Sequence, residues 1–145
     1  MPSVNLQISP FGPLIDLFIG ISEPRSKALA VAGTQAPPPV QARFLIDTGA
    51  SGTCVDPTIL NQLSLSPTGS ILVHTPSTAG IPTSHRQFDV SLLIPHPGLS
   101  RMFGAVAVSE SHLVVQGIQG LLGRDILAAC LFIYNGDTRI YTLSF

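Results

Sequence analysis

The sequence predicts a mainly β chain closing into a small barrel-like domain, with one short helix near residues 124–130. Three observations carry that expectation. Short apolar runs, alternating or β-branched, recur along the chain, each bounded by turn residues. Thirteen glycines and thirteen prolines punctuate them, while charged residues make up only 10% of the chain, too few to clothe many solvated helix faces. Asn135-Gly136, set between two apolar runs, is the strongest local hairpin signal. Many short strands divided by turns is the pattern of closed β architectures.

The elements follow in order. Val4–Ile8 alternates apolar and polar and stops at Pro10; Leu14–Ile21 is a second, more apolar strand. Residues 22–39 read as an exposed loop insertion, with a small-residue run at Ala28–Gly33 and the helix-incompatible Pro37-Pro38-Pro39. Val40–Ile46 is a strand running into Asp47-Thr48-Gly49-Ala50-Ser51, and Thr53-Cys54-Val55 resumes extended backbone. Asp56-Pro57 starts a short helix through Leu63, since proline suits the first turn. Ile71–Thr75 and Phe88–Ile94 are strands flanking a hairpin at Pro76–Pro82. Phe103–Val108 is a strand and Leu113–Ile118 another. Arg124–Cys130 is the short helix, and Leu131–Tyr134 pairs with Arg139–Phe145 across Asn135-Gly136. Tyr141, Leu143 and Phe145 share one face of that last strand.

Composition sets the boundaries. The 145 residues are expected to form one domain, 1–145, and 45% hydrophobic content with few charges argues against disorder. A net charge of −1 and no basic cluster argue against nucleic acid as a partner. No apolar run is long enough for a membrane helix, and the N-terminus lacks a basic region ahead of an apolar stretch, so a cytoplasmic location without membrane association is expected. Cys54 and Cys130 lie in apolar stretches and read as reduced core thiols rather than a disulfide framework. The four histidines show no pairing typical of a metal site.

Asp47 is the residue that stands out. A carboxylate directly after Phe44-Leu45-Ile46 is expensive to bury without partners. The hydroxyls of Thr48 and Ser51 and the close approach Gly49 allows are the means nearby. Alone, Asp-Thr-Gly reads equally as a turn cap. The whole run Phe44–Ser51, however, resembles the active-site segment of aspartic proteases. The later Leu121-Leu122-Gly123-Arg124-Asp125 resembles the apolar-apolar-Gly and Gly-Arg-Asp segment of the retropepsins, the single-domain retroviral-type members. The hairpin at 77–82 falls between these marks, where that family has its flap, and both terminal strands are similar too.

The resemblance implies the closed acid-protease fold and a specific chemistry. One Asp-Thr-Gly per chain gives half of a carboxylate pair, so an active enzyme must be a homodimer with Asp47 from each subunit at a two-fold axis. It would hydrolyse polypeptide through an activated water, with no cofactor or metal. The implied catalytic segment is Asp47, Thr48 and Gly49; Leu45, Ala50 and Leu121 would line the substrate site, and Ala79, Gly80 and Ile81 would form the flap tip over it. The family uses its terminal strands in the subunit interface, which would place the Tyr141-Leu143-Phe145 face there; packing into the chain's own core is the alternative. Ser51 stands where many relatives have an aspartate partner for the arginine, so Arg124 needs another acceptor. A non-catalytic module keeping the fold for dimerisation or peptide binding is the alternative function.

Overall fold

The computed structural model describes residues 1–145. It contains β1 (Ser3–Gln7), β2 (Leu14–Ile21), α1 (Glu23–Val31), β3 (Val40–Ile46), β4 (Cys54–Val55), α2 (Pro57–Gln62), β5 (Gly69–Val73), β6 (Thr83–Ile94), β7 (Arg101–Glu110), β8 (Gly120–Leu122), α3 (Arg124–Leu127), β9 (Leu131–Asn135) and β10 (Ile140–Ser144). Six strands close a barrel in the order β2-β3-β8-β4-β7-β6, with β6 pairing back onto β2. β5 extends from β6 as the outer arm of a hairpin. No helix is long and apolar enough to cross a membrane.

Period-two alternation fills the barrel. In β2, Ile15, Leu17 and Ile19 point inward; in β3 it is Ala42, Phe44 and Ile46; in β6, Phe88, Val90, Leu92 and Ile94. These side chains are nearly water-free, and each large one contributes about 1.5–3 kcal/mol of burial. A bulge between Val90 and Leu92 on the β6–β7 ladder supplies the local bend a small barrel needs. At Gly120 the ring of Phe44 takes the space of a side chain: a Cβ there would lie 2.2 Å from it. That close approach lets β8 lie parallel against β3.

A second, three-stranded sheet has the order β1-β10-β9, so the first and last strands pair directly. The C-terminal strand belongs to the chain's own core. Tyr141 and Leu143 are completely buried and Phe145 nearly so, all three in the same cluster as the barrel residues. The Tyr141 hydroxyl donates to the carbonyl of Leu14, and burial pushes its pKa up. The interface reading of this face is therefore overturned, because the face is already covered within one subunit.

Two further expectations need correction. Residues 22–39 are not a plain loop. Ser22 caps α1 by accepting from the Arg25 amide, Pro24 sits in the first turn, and Lys27 pairs with Glu23 at 3.0 Å. The helix buries no residue, so it has no apolar periodicity to read; the alanines of the small-residue run are simply good helix formers. Leu113–Ile118 is not a strand but a 3-10 turn at Val114–Gln116 closed by Gly117 at φ +76°. The short C-terminal helix is present as α3, and α2 stands where Asp56-Pro57 placed it.

The 3-10 turn is held by Asp56, the N-cap of α2. Its buried carboxylate accepts from the Thr58 amide and hydroxyl, and from the Leu113 and Val114 amides at 2.7 and 3.0 Å. Burial alone would raise its pKa, but these four donors outweigh that and lower it from 3.8 to about 2. A depressed folded pKa stabilises above the unfolded value and is lost on acidification, here between roughly pH 4 and 2.

Two predictions follow from this packing. Against Asp56→Asn, the wild type should lose about 2 kcal/mol of its stability advantage between pH 5 and pH 2, read from urea unfolding at both. Leu143→Glu should unfold the chain rather than release a folded monomer, since a charge would enter a fully buried site. Sedimentation together with circular dichroism distinguishes the two outcomes.

Candidate active site

β3 delivers Asp47 to the surface at the end of the barrel. The inward face of the strand is buried through Ile46, and its ladder with β8 continues one residue further, the Asp47 amide donating to the Leu122 carbonyl at 3.0 Å. There the chain turns. The Gly49 amide donates to Asp47 Oδ1 at 2.9 Å, and the Ala50 amide donates to the Asp47 carbonyl at 3.2 Å. The carboxylate is half-buried and its Oδ2 has no protein partner. It therefore presents one anchored and one available oxygen at an open surface.

The loop after Asp47 is locked by the Leu121–Asp125 segment. A Cβ on Gly123 would lie 2.5 Å from the backbone of Gly52, so the two main chains touch. The φ of Gly123 is −86°, which any residue adopts; space, not backbone freedom, requires glycine here. Beside this contact, the Thr53 hydroxyl accepts from the Gly123 amide at 3.1 Å and donates to Asp125 Oδ1 at 2.8 Å. The Thr53 amide donates to Asp125 Oδ2 at 3.0 Å. Arg124 finds its acceptor in the Thr48 carbonyl, 3.0 Å from Nη1, while its own amide donates to the Ala50 carbonyl. A main-chain oxygen thus does the work that an aspartate at position 51 would have done.

The expected site residues fall into two groups. Leu45, Asp47, Thr48, Gly49, Ala50 and Leu121 come together: Leu45 and Leu121 are partners on the parallel β3–β8 ladder directly below the loop. Thr48 and Gly49 are exposed and Ala50 is half-buried. Ala79, Gly80 and Ile81 are instead at the tip of the β5–β6 hairpin, which shares no hydrogen bond with the loop. The hairpin itself is as expected. Its tip is a 3-10 turn at Pro76–Thr78 tied by the Thr78 hydroxyl to Thr75, followed by Ala79 and Gly80, both at positive φ. Ile81 is 71% exposed, a large apolar side chain held out from the tip.

Thr53 is the residue of the candidate site that sequence reasoning missed, and with it the part Asp125 plays as its acceptor. A buried hydroxyl in the apolar stretch before Val55 was the available signal. Cys54, next to Thr53, is half-buried, with its sulfur 3.3 Å from the Ser109 hydroxyl. Burial pushes that thiol up, and the charges of Asp125 and Asp47 add to the rise. Cys130 is also half-buried, so both thiols sit at the margin of the core rather than inside it.

Gly123→Ala should destabilise the chain by about 1–3 kcal/mol, because the added methyl meets backbone that cannot step aside. Gly52→Ala, where a Cβ would meet open space, should cost far less. Paired urea melts of the two variants make the comparison.

The comparisons with known proteins agree with this architecture. No curated protein sequence matches the chain. The crystal structure of a retropepsin-like aspartic protease from Rickettsia conorii superposes with a TM-score of 0.59 over 99% of this chain and 90% of that one, at 14% identity. A likeness at that identity speaks for the fold. The sequence model of the aspartyl protease family matches residues 30–126, about two-thirds of the chain and the stretch holding both the Asp47 loop and the Gly123 contact. This chain belongs to the aspartyl protease family, with a retropepsin-like fold.

Proposed function

We propose that the chain is a homodimeric aspartic endopeptidase whose catalytic pair is Asp47 from each of two subunits. The observation that carries this reading is the state of the Asp47 carboxylate: one oxygen fixed by the Gly49 amide, the other unpartnered, at a half-open surface on a locked loop. One such group is half of a dyad, and each chain has a single Asp-Thr-Gly. Family membership supports the same chemistry.

The chemistry follows from bringing two carboxyls within hydrogen-bond reach. They do not both ionise, so they hold one proton between them and titrate as a pair, as in aspartic proteases generally. The ionised member takes a proton from a water lying between them, and that water attacks the scissile carbonyl. The protonated member donates to the carbonyl oxygen as negative charge develops there. Collapse of the tetrahedral intermediate breaks the C–N bond as a proton reaches the leaving amine. Gly49 holds the carboxylate orientation from below. Thr48, exposed beside it, would meet its counterpart across the axis.

Substrate would lie extended between this loop and the hairpin. Leu45, Ala50 and Leu121 line the floor, and Ala79, Gly80 and Ile81 form the cover, with exposed Ile81 supplying apolar contact. Closing the hairpin would exclude water from the reacting bond. The three-stranded sheet offers a second surface to the partner. Leu131, Ile133 and Ile140 are exposed at 42–53%, on the side opposite Leu143 and Tyr141.

Asp47→Asn is nearly isosteric and removes the general base, so it should abolish cleavage of a denatured protein substrate while leaving fold and dimer intact. In the wild type the rate should fall faster than protein concentration on dilution through the dimer dissociation constant, and its pH profile should be bell-shaped. Undiminished cleavage by Asp47→Asn would refute the assignment; a folded, dimeric wild type that cleaves nothing would favour the non-catalytic module.

A further inference from the structure

The β5–β6 hairpin leaves the barrel at one point. β6 pairs with β7 from Gln87 onward, Gln87 opposite Ser109, and with β5 from Gln87 back to Thr83. Gln87 is thus the last residue held by the barrel, and the ribbon beyond it has only β5 as a neighbour. Long two-stranded ribbons twist and swing freely unless something fixes their root.

Something does. Glu110, the last residue of β7, is gripped by the two residues on the hairpin side of Gln87. Arg86 makes a two-pronged ion pair with its carboxylate, Nε and Nη2 each 2.7 Å from an oxygen. His85 bonds its carbonyl through Nδ1 at 2.8 Å. Consecutive strand residues point to opposite faces, so Glu110 is held from both sides of the ribbon, by main chain on one and side chain on the other. The Arg86 guanidinium also lies over the Phe88 ring at 5.6 Å, which restricts it further. The Glu110 side chain is only 19% exposed, so this pair is less open to water than an ordinary surface bridge.

A carbonyl only accepts, so His85 Nδ1 carries the hydrogen, and protonating Nε2 leaves that bond in place. Nε2 faces the Thr83 hydroxyl at 3.0 Å, which can reverse its role to accept. The hydrogen bonds and charge of Arg86 hold the Glu110 carboxyl below the usual carboxylate range, against the opposing effect of its burial.

We propose that Glu110 is a positioning residue for peptide cleavage, clamped by Arg86 and His85 so that the β5–β6 hairpin stands at a fixed angle above the Asp47 loop. The proposal rests on the proteolytic reading for its purpose, but the clamp itself can be measured without substrate.

Amide hydrogen exchange is that measurement. Glu110→Gln keeps the carbonyl that His85 grips and removes the charge that Arg86 grips. Exchange across residues 69–84 should quicken about three- to tenfold, while residues 14–21 and 88–94 keep wild-type rates. Reversing the pair, Arg86→Glu with Glu110→Arg, should bring the hairpin back toward wild type. Unchanged exchange at 69–84, or a rise spread evenly over the barrel, overturns the proposal. If Glu110→Gln does not fold, Arg86→Gln removes the same pair through a largely exposed side chain and is read in the same way. With a peptide that the wild type cleaves, Glu110→Gln should raise KM severalfold with the pH profile of kcat unmoved. A displaced profile would put Glu110 in the proton transfers and overturn the positioning role. A wild type without cleavage defeats the proteolytic reading alone, because the exchange comparison still decides the clamp.

Discussion

The contact between Gly123 and the backbone at Gly52–Thr53 is the constraint on which the rest of the candidate site depends. Two segments distant in sequence approach so closely that Gly123 has no room for a side chain against the Gly52–Thr53 backbone. The Thr53 hydroxyl then serves both sides, accepting from the Gly123 amide and donating to Asp125. Removing that hydroxyl would strand a buried amide, which costs more than the bond itself is worth. From this junction α3 runs one way and the Asp47 loop the other, and Arg124 closes the circuit through the Thr48 carbonyl. The loop is therefore braced from behind by main chain and hydroxyl, leaving its front face unencumbered.

Barrel topology explains why the acid lies where it does. β3 and β8 run parallel and end together, so Asp47 emerges beside Gly123 at one end of the barrel. β4 then returns alongside both β8 and β7. Asp56 at the end of β4 uses its buried charge differently from Asp47. Four donors satisfy it completely, and it fastens the turn between β7 and β8. The contrast is one of occupancy: Asp56 has every lone pair engaged, whereas Asp47 keeps an oxygen in reserve.

Most of the β framework was legible because it is written in period-two alternation and turn residues. β2, β3 and the β9–β10 hairpin stand where apolar patterning placed them, and so does β6 from Phe88 onward, although the strand begins at Thr83. The site loop was legible through Asp47-Thr48-Gly49 and Leu121–Asp125 together. Three things were not. α1 has no buried face, so its sequence carries propensity without periodicity, and proline and small residues read as loop. The 3-10 turn after Leu113 is dictated by an acceptor far away in the chain, Asp56, which no local pattern reveals. The Tyr141-Leu143-Phe145 face announced burial correctly but not against what, since an apolar stripe fits a core and an interface equally well.

The pairing of β1 with β10 has a consequence for how the molecule comes into being. Ser3 lies opposite Ser144 and Gln7 opposite Ile140, so the earliest and latest strands are hydrogen-bonded neighbours. Both edges of β10 are occupied, by β1 on one side and β9 on the other. A ribosome delivers β1 well before β10, and Tyr141 and Leu143 belong to the same core as the barrel. The core stays incomplete until the final strand is free to insert, and closing a loop nearly as long as the chain is the slow, entropically costly kind of contact. An emerging chain thus holds its apolar strands without their last partner until β10 has been made, a period in which unpaired edges are open to wrong association.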